Sequence, residues 1–263
     1  MRHFIFITIQ GVFRDRLFKG IAIFACFFLL IPSVSSLSMR QVVELSLTLS
    51  LSLISTMMLL LSLFLGGSTL WKDIERRYTY SVLGLPMTRT AYLLAKFFGI
   101  VACLLLASSV LGVVGCTVVR YVAWIYPPLR PVVWANVFLA IFFLSLKYIL
   151  LVAIAFLFST VSTSFFLPIF GTVAIFFAGS ATQQVYDFLR SPSAKGYLPL
   201  LKKGATGLYY VLPNFSAFDL TANAIYGVNV SFLGLILTFG YFIVYTALVL
   251  TFAAIVFSRK EML

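Results

Sequence analysis

Apolar residues run in long unbroken stretches along this chain, and polar and charged residues gather in the short gaps between them. A helix needs roughly 20 mostly apolar residues to cross the hydrocarbon of a bilayer. The pattern predicts six such spans, at residues 20–38, 46–70, 91–119, 132–157, 164–181 and 231–257. All have the length of helices, not of the short alternating strands of an outer-membrane barrel. Ahead of the first span, Phe6, Ile9, Phe13 and Leu17 recur at helical spacing opposite Thr8, Gly11 and Asp15. That spacing predicts an amphipathic helix over residues 4–18, lying in the interface and held by Arg14, Arg16 and Lys19. The plainer alternative is a cytoplasmic extension of the first span.

Within the second span, Thr48, Ser52, Ser55, Thr56 and Ser62 fall in a narrow arc when wound at about 100° per residue. Such a stripe of hydroxyls either packs closely against another helix, or lines a substrate route or a subunit interface. The stretch "LWKDIERRYTYSVLGLPMTRTAYLLAKFFG", residues 70–99, then carries seven charged residues, Lys72, Asp73, Glu75, Arg76, Arg77, Arg89 and Lys96. Trp71, Ile74, Tyr78 and Val82 form an apolar face, and Asp73 stands four residues before Arg77 as a favourable pair. Gly84 and Pro86 stop the helix, and Thr88 is placed to cap the next one. The expectation is a short helix over residues 71–83 lying along the membrane, followed by a sharp turn. The plainer alternative is an anchored loop.

The fourth and fifth spans are joined only by "FSTVSTSF" (158–165). The fifth is short, carries Pro168 and Gly171, and leads into residues 182–230, whose apolar clusters and Pro192, Pro199 and Pro213 predict short helices dipping into the outer leaflet. Asn214 and Asn229 match a glycosylation acceptor pattern that arises often by chance.

Composition fixes the class. Apolar residues make up 62% of the 263, charged residues 10%, and the mean hydropathy is +1.09, more than a water-soluble domain could bury. A net charge of +12 would suggest nucleic acid in a soluble protein, but here the basic residues flank apolar spans and read as topology signals. With both termini cytoplasmic, eleven lie inside: Arg2, Arg14, Arg16, Lys19, Lys72, Arg76, Arg77, Arg89, Lys96, Arg259 and Lys260. Seven lie outside, at Arg40, Arg120, Arg130, Arg190, Lys195, Lys202 and Lys203. The excess points to a multi-pass protein of the cytoplasmic (inner) membrane. Cys26, Cys103 and Cys116 all sit within apolar spans, with no paired spacing, and read as packing residues.

Several chemistries are excluded. His3 is the chain's one histidine and lies outside every span, so neither an intramembrane Ser–His pair nor a histidine metal site can form. "KKGATG" (202–207) lacks the lysine that a phosphate loop places after its second glycine. No ATP site and no cofactor is expected in this chain. Lys147 is the one clear intramembrane charge, about ten residues from the inner end of the fourth span and so roughly 15 Å deep. It either snorkels or pairs with carbonyls of a neighbouring helix, or it meets an anionic substrate or a carboxylate partner.

The segment "DIERRYTYSVLGLPMTRTAYLLAKFFG" resembles the corresponding part of ABC-2 type ABC transporter permeases. There an acidic residue opens a surface helix, a proline turn and an arginine follow, and a lysine and glycine enter the third span; Glu75, Leu83, Pro86, Arg89, Lys96 and Gly99 fit. The likeness extends to the layout: "RDRLF" in the interfacial helix, six spans, a minimal loop after the fourth, and "LPNFSAFDL" before the sixth. It is similar to the subgroup that includes the permease of the nitrous-oxide reductase maturation transporter, although Arg76 and Arg77 stand where many members carry a glycine.

The resemblance implies a single transmembrane domain over residues 1–263 that is not itself an enzyme. It would dimerise with a copy of itself or a related permease and receive a separate ATPase that holds ATP and Mg. Residues 71–83 would be its coupling helix, with Trp71, Asp73, Glu75, Arg76, Arg77, Tyr78 and Arg89 on the ATPase side. Thr48, Ser52, Ser55 and Lys147 are candidates for a translocation path or for packing. The leading expectation is therefore an exporter subunit. The alternative is a membrane anchor that recruits an ATPase to drive a periplasmic machine without moving a solute.

Overall fold

The computed structural model describes residues 26–38, 41–75, 88–128, 130–162, 164–191 and 199–259. Among these residues all regular structure is helical. A 3₁₀ turn over Cys26–Leu30 runs into α1 (Ile31–Ser35). Then come α2 (Val42–Glu75), α3 (Arg89–Ile125), α4 (Trp134–Val161), α5 (Phe166–Arg190), α6 (Pro199–Val211), a second 3₁₀ turn (Phe215–Phe218), α7 (Thr221–Tyr226) and α8 (Phe232–Arg259). Five of these, α2, α3, α4, α5 and α8, are long and apolar enough to cross a membrane. The chain is an α-helical, multi-pass membrane protein.

The predicted spans at 91–119, 132–157 and 231–257 are recovered as α3, α4 and α8; each helix runs a few residues past the predicted C-terminal end, α3 begins two residues earlier, and α4 and α8 begin two residues and one residue later. Of the predicted span at 20–38, the described part is only the 3₁₀ turn and α1. The interfacial helix expected over 4–18 lies outside the described residues. Two boundaries are corrected. First, α2 does not end at residue 70: the apolar span reaches Trp71 and the helix runs on without a break to Glu75, so residues 71–75 are continuous with the second span's helix. Residues 76–83 of the expected coupling helix lie outside the described residues. Second, the fifth span does not stop at 181. Pro168 falls in the first turn of α5, where its missing N–H costs nothing, and the helix goes on to Arg190. The segment 182–230 therefore begins as the end of a long helix.

Local signals place the remaining ends. Thr88 caps α3 as expected, its hydroxyl accepting the Ala91 N–H at 3.3 Å. Tyr126, Pro127 and Pro128 close the helix at its other end. Gly227, with φ of 63°, is the left-handed residue that terminates α7.

Helix α4 is the centre of the bundle. Leu150, Leu151, Val152, Ala153, Ala155 and Phe156 are wholly buried in consecutive turns, because α2, α3, α5 and α8 surround it. Its closest neighbour is α2, and a small residue makes that approach possible: a Cβ added at Gly66 would come within 2.9 Å of the Ala155 Cβ. The Ser159 hydroxyl crosses the same seam to the Gly67 carbonyl at 3.2 Å. By contrast, α8 buries a single stripe, Thr246, Leu250, Ala253 and Phe257, and turns residues such as Leu237, Val244, Leu248 and Phe252 outward.

The long helices alternate in direction. One end of the bundle holds Trp71, Arg89, Phe165 and Ser258, joined by a Trp71–Phe165 ring contact at 5.1 Å and by the Arg89 guanidinium donating to the Ser258 carbonyl at 3.2 Å. The opposite end holds the start of α2 and α4 with Pro131 and Tyr226.

Candidate functional site

The residues from Pro213 to Val228 are an inserted segment that reaches from the Trp134 end of the bundle toward its middle. Asn136, buried in the first turn of α4, holds the outer part: its amide donates to the Asn223 carbonyl at 3.0 Å and to the Val228 carbonyl at 3.1 Å. The inner part is pinned against α5. At Gly179 a Cβ would run into the Pro213 carbonyl and lie 2.8 Å from the Phe215 ring, so only glycine allows this approach. The Ser216 hydroxyl donates to the Ser180 carbonyl at 2.9 Å, and the Asn214 amide donates to Gln183 Oε1 at 2.7 Å. Phe215 and Phe218 are completely buried, Phe215 against Phe176 and Phe218 against Tyr241 and Phe242.

This insertion closes one side of a cavity of about 320 Å³, lined by Leu51, Ser52, Ser55, Thr56, Leu144, Lys147, Phe218, Asp219 and Thr221. One turn of the hydroxyl stripe, Ser52, Ser55 and Thr56, and the intramembrane lysine, which the sequence singles out separately, thus face the same space. Lys147 stands in mid-helix, about 20 Å from either end of α4, and so deeper than the sequence reading placed it. Its ammonium lies 5.2 Å from the centre of the Phe176 ring and 5.8 Å from that of Tyr148, which soften the cost of the charge. The Tyr148 hydroxyl is fixed by Ser55 at 2.6 Å, and its ring stacks on Phe176.

Asp219 is the residue that sequence reasoning missed. It is exposed to the cavity side of the inserted segment, and its Oδ1 accepts the Thr221 N–H at 3.0 Å. It shares the lining of the cavity with Lys147, yet among the described residues no carboxylate comes within 4.0 Å of the lysine ammonium. Arithmetic could have found it, because the chain has seven acidic residues and a membrane-embedded lysine calls for one of them. Thr48 stays out of the cavity: its hydroxyl donates to the Glu44 carbonyl on its own helix at 2.8 Å.

A second polar cluster ties α2 to α3 at the Trp71 end. Asp73 forms an ion pair with Lys96 and accepts a hydrogen bond from the Tyr92 hydroxyl at 2.6 Å. Both charged side chains are only 17% exposed. Asp73 therefore faces its own neighbouring helix, and Trp71 packs on Phe165. The side chain of Glu75, and Arg76, Arg77 and Tyr78 altogether, lie outside the described residues, while Arg89 is committed to Ser258. Among the described residues there is no cluster of three histidine, cysteine, aspartate or glutamate side chains.

The geometry provides a polar cavity in the middle of an apolar bundle, and one uninterrupted helix joining it to a charged clamp at the bundle's end. The sequence matches no protein-family model and no curated protein.

Proposed function

We propose that this chain is the transmembrane permease subunit of an ATP-driven transporter of the ABC-2 type, dimeric and coupled at its Trp71 end to a separate ATPase. The observation that carries the reading is α2 itself. The same helix bears Ser52 and Ser55 in the cavity and Asp73 in the clamp, with about 27 Å between Ser55 and Asp73 at 1.5 Å per residue. A force applied by a soluble partner beyond Asp73 is carried along a stiff rod into the cavity wall. Because the Asp73–Lys96–Tyr92 contact makes α3 move with it, both helices answer to the same push. The charge of residues 72–77 supplies a surface that a partner can grip. In this reading both termini and residues 71–90 face the cytoplasm, ATP and Mg stay on the partner, and the direction of transport is outward.

The test is a double charge reversal, Glu75→Lys with Arg76→Glu. Wild-type chain purified from its own host should bring down an ATPase whose turnover drives transport in liposomes. The reversed chain should insert and dimerise normally but lose the ATPase or uncouple its turnover. Full binding and full transport by the reversed chain would refute the coupling assignment. Stable ATPase capture without movement of any solute or lipid would point to the anchor role instead.

A further inference from the structure

The cavity holds a cation and an anion that face the same space without meeting. An unpaired ammonium in the middle of a bilayer is expensive, and a carboxylate in reach would ordinarily close on it. Here each is held back by contacts of its own. Lys147 rests over Tyr148 and Phe176, whose positions are fixed by Ser55 and by stacking. Asp219 is turned toward the Thr221 N–H, on a segment pinned at Gly179, Ser180 and Gln183. The gap is thus built by the packing of three helices and the insertion.

What fills such a gap follows from its charges. A simple anion would satisfy Lys147 but lie against the Asp219 carboxylate, and a simple cation would meet the reverse problem. A molecule bearing both an oxyanion and an amine satisfies both ends at once. The volume of about 320 Å³ is at the small end of ligand pockets, and the hydroxyls of Ser52, Thr56 and Thr221 offer further hydrogen bonds around it. We infer that this cavity binds a small zwitterion, its oxyanion on Lys147 and its ammonium on Asp219. That the zwitterion is cargo rests on the permease reading; that it binds does not. The same chemistry is found in a free amino-phosphate or amino-acid solute and in an ethanolamine phosphate lipid headgroup.

Calorimetry on the purified chain in detergent, without any ATPase, tests this. The probes are O-phosphoethanolamine, lysophosphatidylethanolamine, ethanolamine and inorganic phosphate. At least one zwitterionic probe should bind about tenfold more tightly than either half-molecule. Binding of both zwitterions identifies a soluble ligand, and binding of the lysolipid alone identifies a headgroup. Lys147→Met should abolish the preference for the zwitterion over ethanolamine, and Asp219→Asn the preference over phosphate. A general loss of structure would not produce these opposite changes in selectivity, and each variant's thermal midpoint is measured alongside. The inference is overturned if no probe binds, if phosphate or ethanolamine binds as well as the zwitterions, or if the folded variants keep wild-type selectivity. Since no ATPase is present, such a failure leaves the coupling experiment untouched, and failure of that experiment leaves this one standing.

Discussion

Changing Asp73 to asparagine removes the negative member of the clamp between α2 and α3 while keeping its shape and its ability to accept the Tyr92 hydrogen bond. The remaining loss is the ion pair with Lys96. Surface pairs contribute under about 1 kcal/mol, whereas stranding one partner of a fully buried pair costs about 3–5 kcal/mol. At 17% exposure on each side chain, the Asp73–Lys96 pair falls between these limits, so Asp73→Asn should destabilise the protein by about 2 kcal/mol. Much of that is the stranded lysine, and Lys96→Met should therefore rescue it. The double variant should be more stable than the sum of the single effects by about 1–2 kcal/mol. Unfolding in mixed micelles, followed by tryptophan fluorescence, measures all four corners of the cycle, and Trp71, packed on Phe165 beside the clamp, reports directly. Effects that add within about 0.3 kcal/mol would mean that the two charges do not interact, and the mechanical link between α2 and α3 would fall with them.

Two other perturbations address the packing. Gly66→Ala places a methyl against Ala155 and should cost about 1–3 kcal/mol by forcing α2 away from α4, while Ala155→Gly in the same chain should recover most of it; the same micelle titration checks both. Asn136→Leu strands the carbonyls of Asn223 and Val228, a loss of about 2–3 kcal/mol, and limited proteolysis should then cut between residues 213 and 231 well before the rest of the chain.

Much of the architecture was legible because hydropathy and length decide spans independently of tertiary detail, and because Thr88 and the Tyr126–Pro128 stretch are local signals. The misplaced boundaries have a common physical cause. Residues 182–190 read as the start of a loop because they are polar, yet Gln183 donates to Asp187 and accepts from Asn214 and Tyr209, while Arg190 covers the Tyr186 ring. Those partners come from the same helix or from the segment that folds back on it, and they satisfy groups that the sequence alone assigns to water. Residues 71–75 misled in the same way, since Asp73 is charged but finds Lys96 and Tyr92 one helix later. In the site, Lys147 declared itself as an isolated charge in an apolar run. Asp219 did not, because an aspartate between short apolar clusters looks like any loop residue until the insertion carries it inward.

The insertion also sets a schedule for biosynthesis. Roughly 70 residues separate Lys147 from Asp219, and at about 5–20 residues per second a ribosome takes about 4–14 s to make them. During that interval α4 must be delivered to the membrane with its ammonium facing no acidic counterpart and with the cavity's fourth wall not yet synthesised. Lys147 is then a cost to be carried by the insertion machinery or by water reaching down its side chain. Ribosome stalling just before Phe215 should accordingly leave α4 associated with the translocon, and release should come only after Asp219 and α8 have emerged to enclose it.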